Sequence, residues 1–290
     1  DALWANWCTG QPRFADGRWV LGAFRTGLEK AFQSDEDYPA HERRIRDWQL
    51  ARPGSVAARF ALAVHGRHWA WQARGNGYSN EVSKEAWMLF GKRIEPAAQG
   101  IHELISEGPD CAAPYQLALH LFGEVGAAPD LLEQVYEVGA KRFPDTHEIH
   151  LAMARSLEPR WGGSIEAYHA FVNKVVARTR PTEGSGMYAR LFRSVDFDPM
   201  KFAPGKKGSP EWKRLRESLD GLVKRFPDSA QIASMSADFS CRTDDSARYR
   251  RDRARFVGQE SDFPLGGGVE ACDQRHGWPV AQTARLKVDR

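Results

Sequence analysis

Five prolines cut this chain into helix-sized lengths. Pro53-Gly54-Ser55, Pro109-Asp110, Pro144-Asp145, Pro181-Thr182 and Pro227-Asp228 each follow one apolar-periodic segment and precede another. Proline suits the end of a helix, and Asp, Ser or Thr suits the N-cap of the next. Pro109 and Pro144 are 35 residues apart, and Pro144 and Pro181 are 37 apart. Pro181 and Pro227 are 46 apart, which predicts an insertion at the Pro-, Gly- and Lys-rich loop Asp196–Ser209. One phrase recurs at two of these points: Lys141-Arg142-Phe143-Pro144-Asp145 returns as Lys224-Arg225-Phe226-Pro227-Asp228.

The segments between the prolines have a helical period. Trp19, Leu21, Phe24, Leu28, Ala31 and Phe32 recur at spacings of about three and four, predicting a helix from Asp16. Pro39 precedes a second helix carrying Ile45, Trp48 and Leu50. Residues 1–14 are expected to be irregular, with Trp4, Trp7 and Cys8 packed on a later element. Tyr115, Ala118, Leu119 and Phe122 fall where a tetratricopeptide (TPR) first helix carries its packing residues. Met153, Ala154 and Leu157 repeat this in part, and Ser236 with Ala237 weakly. The intervals lie near the TPR period of about 34 residues. A hairpin of this kind leaves an apolar face that only stacking hides. No period-two run of β-branched residues competes, so almost no sheet is expected. The expected fold is all-α: a right-handed α/α superhelix of TPR-like helical hairpins. One domain would cover residues 1–262, and a loop-rich tail, 263–290, would cap it, with a short helix possible around Val269–Cys272.

Composition narrows the function classes. A 42% hydrophobic share with ten Trp and fifteen Phe needs a core, which excludes a disordered chain. The formal charge of +3, from 41 basic and 38 acidic residues, implies neither a nucleic-acid nor a membrane partner. The basic stretch Arg248, Arg250, Arg251, Arg253 and Arg255, offset by Asp244, Asp245 and Asp252, reads as a solvated helix face or as a site for an anionic partner. No apolar run approaches the roughly 20 residues that span a bilayer. The start at Asp1 fits a mature, processed protein or a trimmed chain. The four cysteines make no Cys-x-x-Cys pair. Cys111 and Cys241 read as buried thiols, or Cys241 and Cys272 as a bridge that tethers the tail.

Several motifs invite chemistry. His147-Glu148-Ile149-His150 puts two histidines at i, i+3, but no third ligand accompanies them, so no metal is expected. Pro159-Arg160-Trp161-Gly162-Gly163-Ser164 reads as a turn with Ser164 capping the next helix, or as a loop presenting Arg160 to a carboxylate or phosphate. Trp69 and Trp71, before the Gly75-Asn76-Gly77-Tyr78 turn, cannot share a helix face. Gly205-Lys206-Lys207-Gly208 resembles a KH loop, but without a neighbouring sheet it reads as a basic loop. There is no Walker A motif, no Gly-x-Ser-x-Gly elbow and no His-Glu-x-x-His. Neither catalytic residues nor a cofactor is therefore predicted. Setting helix position 1 three residues after each proline predicts a groove. Gln116 and His120 line it, then Glu148, Arg155 and Glu158, then Tyr188 and Phe192, with Arg160 and Trp161 beside them. That mixture suits a protein or peptide segment.

A further set of strings resembles the uncharacterised bacterial family Domain of Unknown Function 4034, over about residues 12–258. They are Asp16-Gly17-Arg18-Trp19 with Leu21; Pro53 and Ser55 before Ala70-Trp71 and Arg74-Gly75; Trp87 with Phe90; Arg160–Ser164; and Glu183-Gly184 with Met187-Tyr188-Ala189-Arg190. The resemblance implies a helical-repeat fold and a periplasmic or secreted location, with a cytoplasmic one as the alternative. It supplies no catalytic residues. The expected function is a binding scaffold of the bacterial envelope, with an immunity or accessory role as one instance. The alternatives are an enzyme with a site near Arg160–Ser164, His147 and His150, or a purely structural assembly subunit.

Overall fold

The computed structural model describes residues 1–34, 37–194, 208–260 and 268–279. Among the described residues the chain is all-α: it has 14 α-helices and no strand, and a single isolated bridge pairs Arg13 with Trp19. The chain forms two compact units. The first comprises Asp1–Arg13 and Arg18–Tyr168, and the second Phe14–Gly17 and the described residues from His169 onward.

The first unit holds α1 (Ala2–Gly10), α2 (Val20–Ser34), α3 (Tyr38–Ala51), α4 (Val56–Arg74) and α5 (Lys84–Ser106). It continues with α6 (Ala112–Glu124), α7 (Pro129–Arg142), α8 (His147–Ser156), a 3-10 turn at Pro159–Trp161, and the start of α9 (Ile165–Glu183). Helix α4 packs on α5 and α6 on α7, and the first helices pack on one another in series: α2 on α4, α4 on α6, α6 on α8. The second helices α3, α5 and α7 each also pack on the first helix that follows them. Apolar faces such as that of Ala118, Leu119 and Phe122 are buried only by this stacking. Gly66 permits the tight α4–α5 seam, because a Cβ there would come within 3.0 Å of the Ala97 Cβ.

Proline sets the helix starts with a constant offset. After Pro53, Pro109, Pro144 and Pro227 the next helix begins at Val56, Ala112, His147 and Ala230. The N-cap therefore falls at Ser55, Cys111, Thr146 and Ser229, one residue later than expected where Asp110, Asp145 and Asp228 were the candidates. Ser55 and Ser229 accept from the amides of Ala58 and Ile232. The repeated phrase folds the same way twice: Phe143 (φ −130°, ψ 63°) and Phe226 (φ −123°, ψ 66°) end their helices. The residue before a proline is pushed out of the α region, which explains the shared exit.

Two expectations need correction. Residues 2–10 are helical, not irregular, because Trp4 and Cys8 at i, i+4 give α1 one face to bury. Pro181 does not end α9, which runs on to Glu183. The short helix allowed around Val269–Cys272 is present as α14 (Gly268–His276), entered from Gly268 at φ 76°. The expected insertion, up to residue 207, and the Lys206-Lys207 loop lie outside the described residues.

The second unit also contains α10 (Gly186–Arg193), α11 (Pro210–Arg225), α12 (Ala230–Arg242) and α13 (Ser246–Arg253). Ala233, Ala237, Cys241, Tyr249, Phe256 and Cys272 form one core cluster. The arginine run on α13 is not a solvated face throughout. Arg248 and Arg253 are buried, with Arg248 on Asp220 at 3.0 Å and Arg253 on Asp273 at 3.1 Å and Glu260 at 3.2 Å. Two disulfides close the chain on itself, Cys8–Cys111 in the first unit and Cys241–Cys272 in the second. The buried-thiol reading of Cys111 and Cys241 gives way to these pairs, and the tail bridge is present.

Candidate functional site: a polar face on the first helices

Helical spacing puts a charged stripe on each first helix of the first unit. Residues four apart share a face. Arg25 and Glu29 do so on α2, Arg67 and Trp71 on α4, and Gln116, His120 and Glu124 on α6. Glu148 and Arg155, two turns apart, do so on α8. Because α2, α4, α6 and α8 neighbour one another in series, these stripes meet.

Their centre is an ion cluster screened from water. Arg67 clasps Glu124 with Nε at 2.9 Å and Nη2 at 2.5 Å, and the two side chains are 12% and 3% exposed. Glu29 lies 2.6 Å from Arg25, 3.5 Å from His68 and 3.7 Å from Arg67. Burial alone would raise the Glu29 carboxyl. The His68 hydrogen bond and the charges of Arg25 and Arg67 outweigh it and hold the group below its usual range. Partly buried His120 is pushed well below the usual imidazole range, first by burial and then by Arg67, Arg25 and Arg155. It is therefore neutral at pH 7, in a field set by three cations.

Aromatic rings wall this cluster. Trp71 and Trp161 meet edge to face with centroids 6.2 Å apart. The guanidinium groups of Arg155 and Arg160 lie over the Trp161 ring at 5.1 and 5.6 Å. Arg160 also pairs with the buried Glu158 at 3.1 Å. His120, Glu124, Arg155, Ser156 and Trp161 border a small opening of about 10 Å³, near the volume that holds one water.

The Arg160–Ser164 string builds this wall. Gly162 sits at φ 90°, Gly163 brings the chain against Leu157, and Ser164 caps α9 through the Ala167 amide. A Cβ on Gly163 would stand 2.0 Å from the Leu157 carbonyl oxygen. Gly163→Ala is expected to cost about 1–3 kcal/mol through forced backbone displacement. A thermal melt would show it, and an unchanged melting temperature would refute the close approach.

The other expected residues sit elsewhere. Gln116 is 7% exposed, so it floors the stripe instead of presenting itself. Tyr188 belongs to the second unit and is buried beneath Arg214, 4.3 Å from the ring. It borders a cavity of about 270 Å³ with His169 and Asn173, and burial pushes its phenol up to about 12. Phe192 packs on it with centroids 4.7 Å apart. His150 is held by the Tyr136 hydroxyl and the Pro144 carbonyl, both at 3.1 Å, and His147 is buried. Among the described residues no group of three or more His, Cys, Asp or Glu is placed to hold a metal ion. Trp69 stacks on Tyr38 and has the Arg93 guanidinium over its ring, and it lines a groove of about 460 Å³ between α3, α4 and α5.

The sequence reading missed Arg25, Glu29, Arg67, His68, Trp71 and Glu124. One signal was available: counting from Pro53 by the rule used for Pro109 puts Arg67 at position 12 of its helix.

The family model described as "Domain of unknown function (DUF4034)" matches residues 19–101. Over that stretch the chain is similar to this domain. It takes in α2, α3, α4 and most of α5, and so the Arg25, Glu29, Arg67, His68 and Trp71 half of the polar face. The Arg160–Ser164 and Met187–Arg190 strings lie outside the match. No curated protein and no solved structure matches the chain.

Proposed function

We propose that this chain is a TPR-like protein-binding module whose first-helix face in the first unit receives a segment of another protein. The observation that carries this is the convergence of Arg25, Glu29, Arg67, His120, Glu124 and Arg155 from four helices beside the Trp71–Trp161 pair. A fold needs hydrophobic stacking, but it does not need ten or so polar and aromatic groups gathered on one side. Arg and Trp are the residues that concentrate binding energy at interfaces. Two disulfides favour an oxidising compartment, the periplasm or the exterior of the cell. No described helix is long and apolar enough to cross a membrane.

The test is quantitative affinity capture from the native envelope fraction with three immobilised forms. Wild type and Arg46→Ala, altered in the α3–α5 groove, are expected to retain the same partner. His120→Ala with Arg155→Ala is expected to lose it. Equal recovery by all three forms would remove the first-helix face from consideration.

A further inference from the structure

Helices α3 and α5 both pack on α4 but have no comparable seam with each other, so a trough opens between them. Its floor is made of small residues, Ala63, Gly66, Ala97 and Gly100. A Cβ on Gly100 would meet nothing within 4 Å, so that position faces open space. Leu62, Leu89 and Trp69 line its walls. Its volume of about 460 Å³ lies within the range of about 300–1,000 Å³ typical of small-molecule sites. On α4 the lining runs from Arg59 to Trp69, roughly 15 Å at the helical rise. Beyond Arg59 the trough continues into a second hollow of about 480 Å³ beside Pro53 and Leu50, and Leu50 is 79% exposed. Among the described residues, no lining side chain holds a buried polar atom without a partner, so the interior requires no hydrogen bonds from an occupant. A long apolar trough of this kind suits an unbranched chain better than a compact molecule.

Charge on the rim is uneven. Arg46 is taken by Glu42 and Arg59 by Glu107, each at 2.6 Å, and Glu103 lies near Arg59. Lys92 and Arg93, at the Trp69–Leu89 end, pair with no carboxylate among the described residues. Half-buried Arg93 donates through Nη1 to the Trp69 carbonyl at 2.8 Å and to the Gln72 side chain at 3.2 Å, both neutral acceptors. Its Nε and Nη2 groups make no hydrogen bond with a described residue. Burial lowers the Arg93 guanidinium, and no carboxylate raises it. The surplus charge at this end is therefore positive, and it sits where the apolar walls are.

We propose that this trough binds an amphiphilic anion: a single alkyl chain lies along α4 over Ala63, Gly66 and Gly100, and its acidic head group meets Lys92 and Arg93. The site uses other residues than the polar face of the first helices and stands independently of the protein-binding reading. Hydrogen bonds from a guanidinium to an anionic oxygen are the stronger kind, and the chain adds affinity with each buried methylene.

The probe is sodium dodecanoate, titrated into the full chain below its micelle-forming concentration and followed by calorimetry. Wild type is expected to bind one equivalent. It should bind at least roughly tenfold more tightly than dodecyltrimethylammonium, which has the same chain and the opposite charge. Affinity should fall about fourfold for each methylene removed from the chain. Gly100→Leu fills the floor, removes no charge and raises helix propensity, so it should stay folded and lose the binding. Lys92→Gln, an exposed change, should keep the dependence on chain length and lose much of the preference for the anion. Circular dichroism melting establishes that each variant is folded. No saturable binding, equal affinity for the two head groups, or unchanged binding by Gly100→Leu would each overturn the proposal. If Gly100→Leu turns a self-associating wild type into a monomer, or abolishes capture of the protein partner, the trough is a protein interface and the amphiphile is overturned. The first-helix reading is judged separately, by His120→Ala with Arg155→Ala.

Discussion

Replacing Arg67 by Met is expected to destabilise the first unit by about 3–5 kcal/mol, the usual effect of stranding one member of a buried ion pair. Arg67 is the shared cation of the polar face. It holds Glu124 through three short contacts and reaches Glu29 at 3.7 Å. Met fills the space of the aliphatic stem but leaves the Glu124 carboxylate, 3% exposed, without its counter-charge. The cost therefore arises from the survivor, not from lost packing. Removing both charges, as Arg67→Met with Glu124→Leu, should recover most of the stability, since a buried pair is worth little against an apolar replacement. Urea unfolding followed by tryptophan fluorescence would measure this. A single variant within about 1 kcal/mol of wild type would mean that water reaches Glu124 freely.

How much of this could be read from the sequence differs by level. The prolines announced the helix starts because proline acts locally: it removes a donor and restricts the preceding residue, so Phe143 and Phe226 turn alike in two separate units. Gln116, His120 and Arg155 followed from counting along α6 and α8. Arg25 and Glu29 did not, because α2 has no proline at a periodic distance to set its register. The Arg67–Glu124 clasp joins residues 57 apart, and nothing local encodes such a pairing. The arginine run on α13 misled for the same reason. Its partners Asp220 and Asp273 lie on other helices, and without them the closely spaced arginines look solvated.

The second large effect concerns the covalent ties. Cys8→Ser with Cys111→Ser is expected to lower stability by about 4–5 kcal/mol, because the bridge spans 103 residues of chain and loop-closure entropy grows with that span. The Cys241–Cys272 bridge spans 31 residues and should contribute about 3–4 kcal/mol by the same reasoning. The first bridge also matters to the face. It fastens α1 to the entry of α6, and α1 otherwise holds through Trp4 and Trp7 against Phe24 of α2 and Phe60 of α4. Phe24 is the neighbour in sequence of Arg25, and Phe60 lies two turns before Arg67. Loosening α1 therefore frees the helices that carry the ion cluster. The serine pair should weaken partner binding as well as lower the unfolding midpoint, while Cys241→Ser with Cys272→Ser should lower the stability of the second unit and leave binding unchanged. Unfolding and binding measured on both pairs decide this. Equal binding by all forms would show that α1 has no part in holding the face in shape.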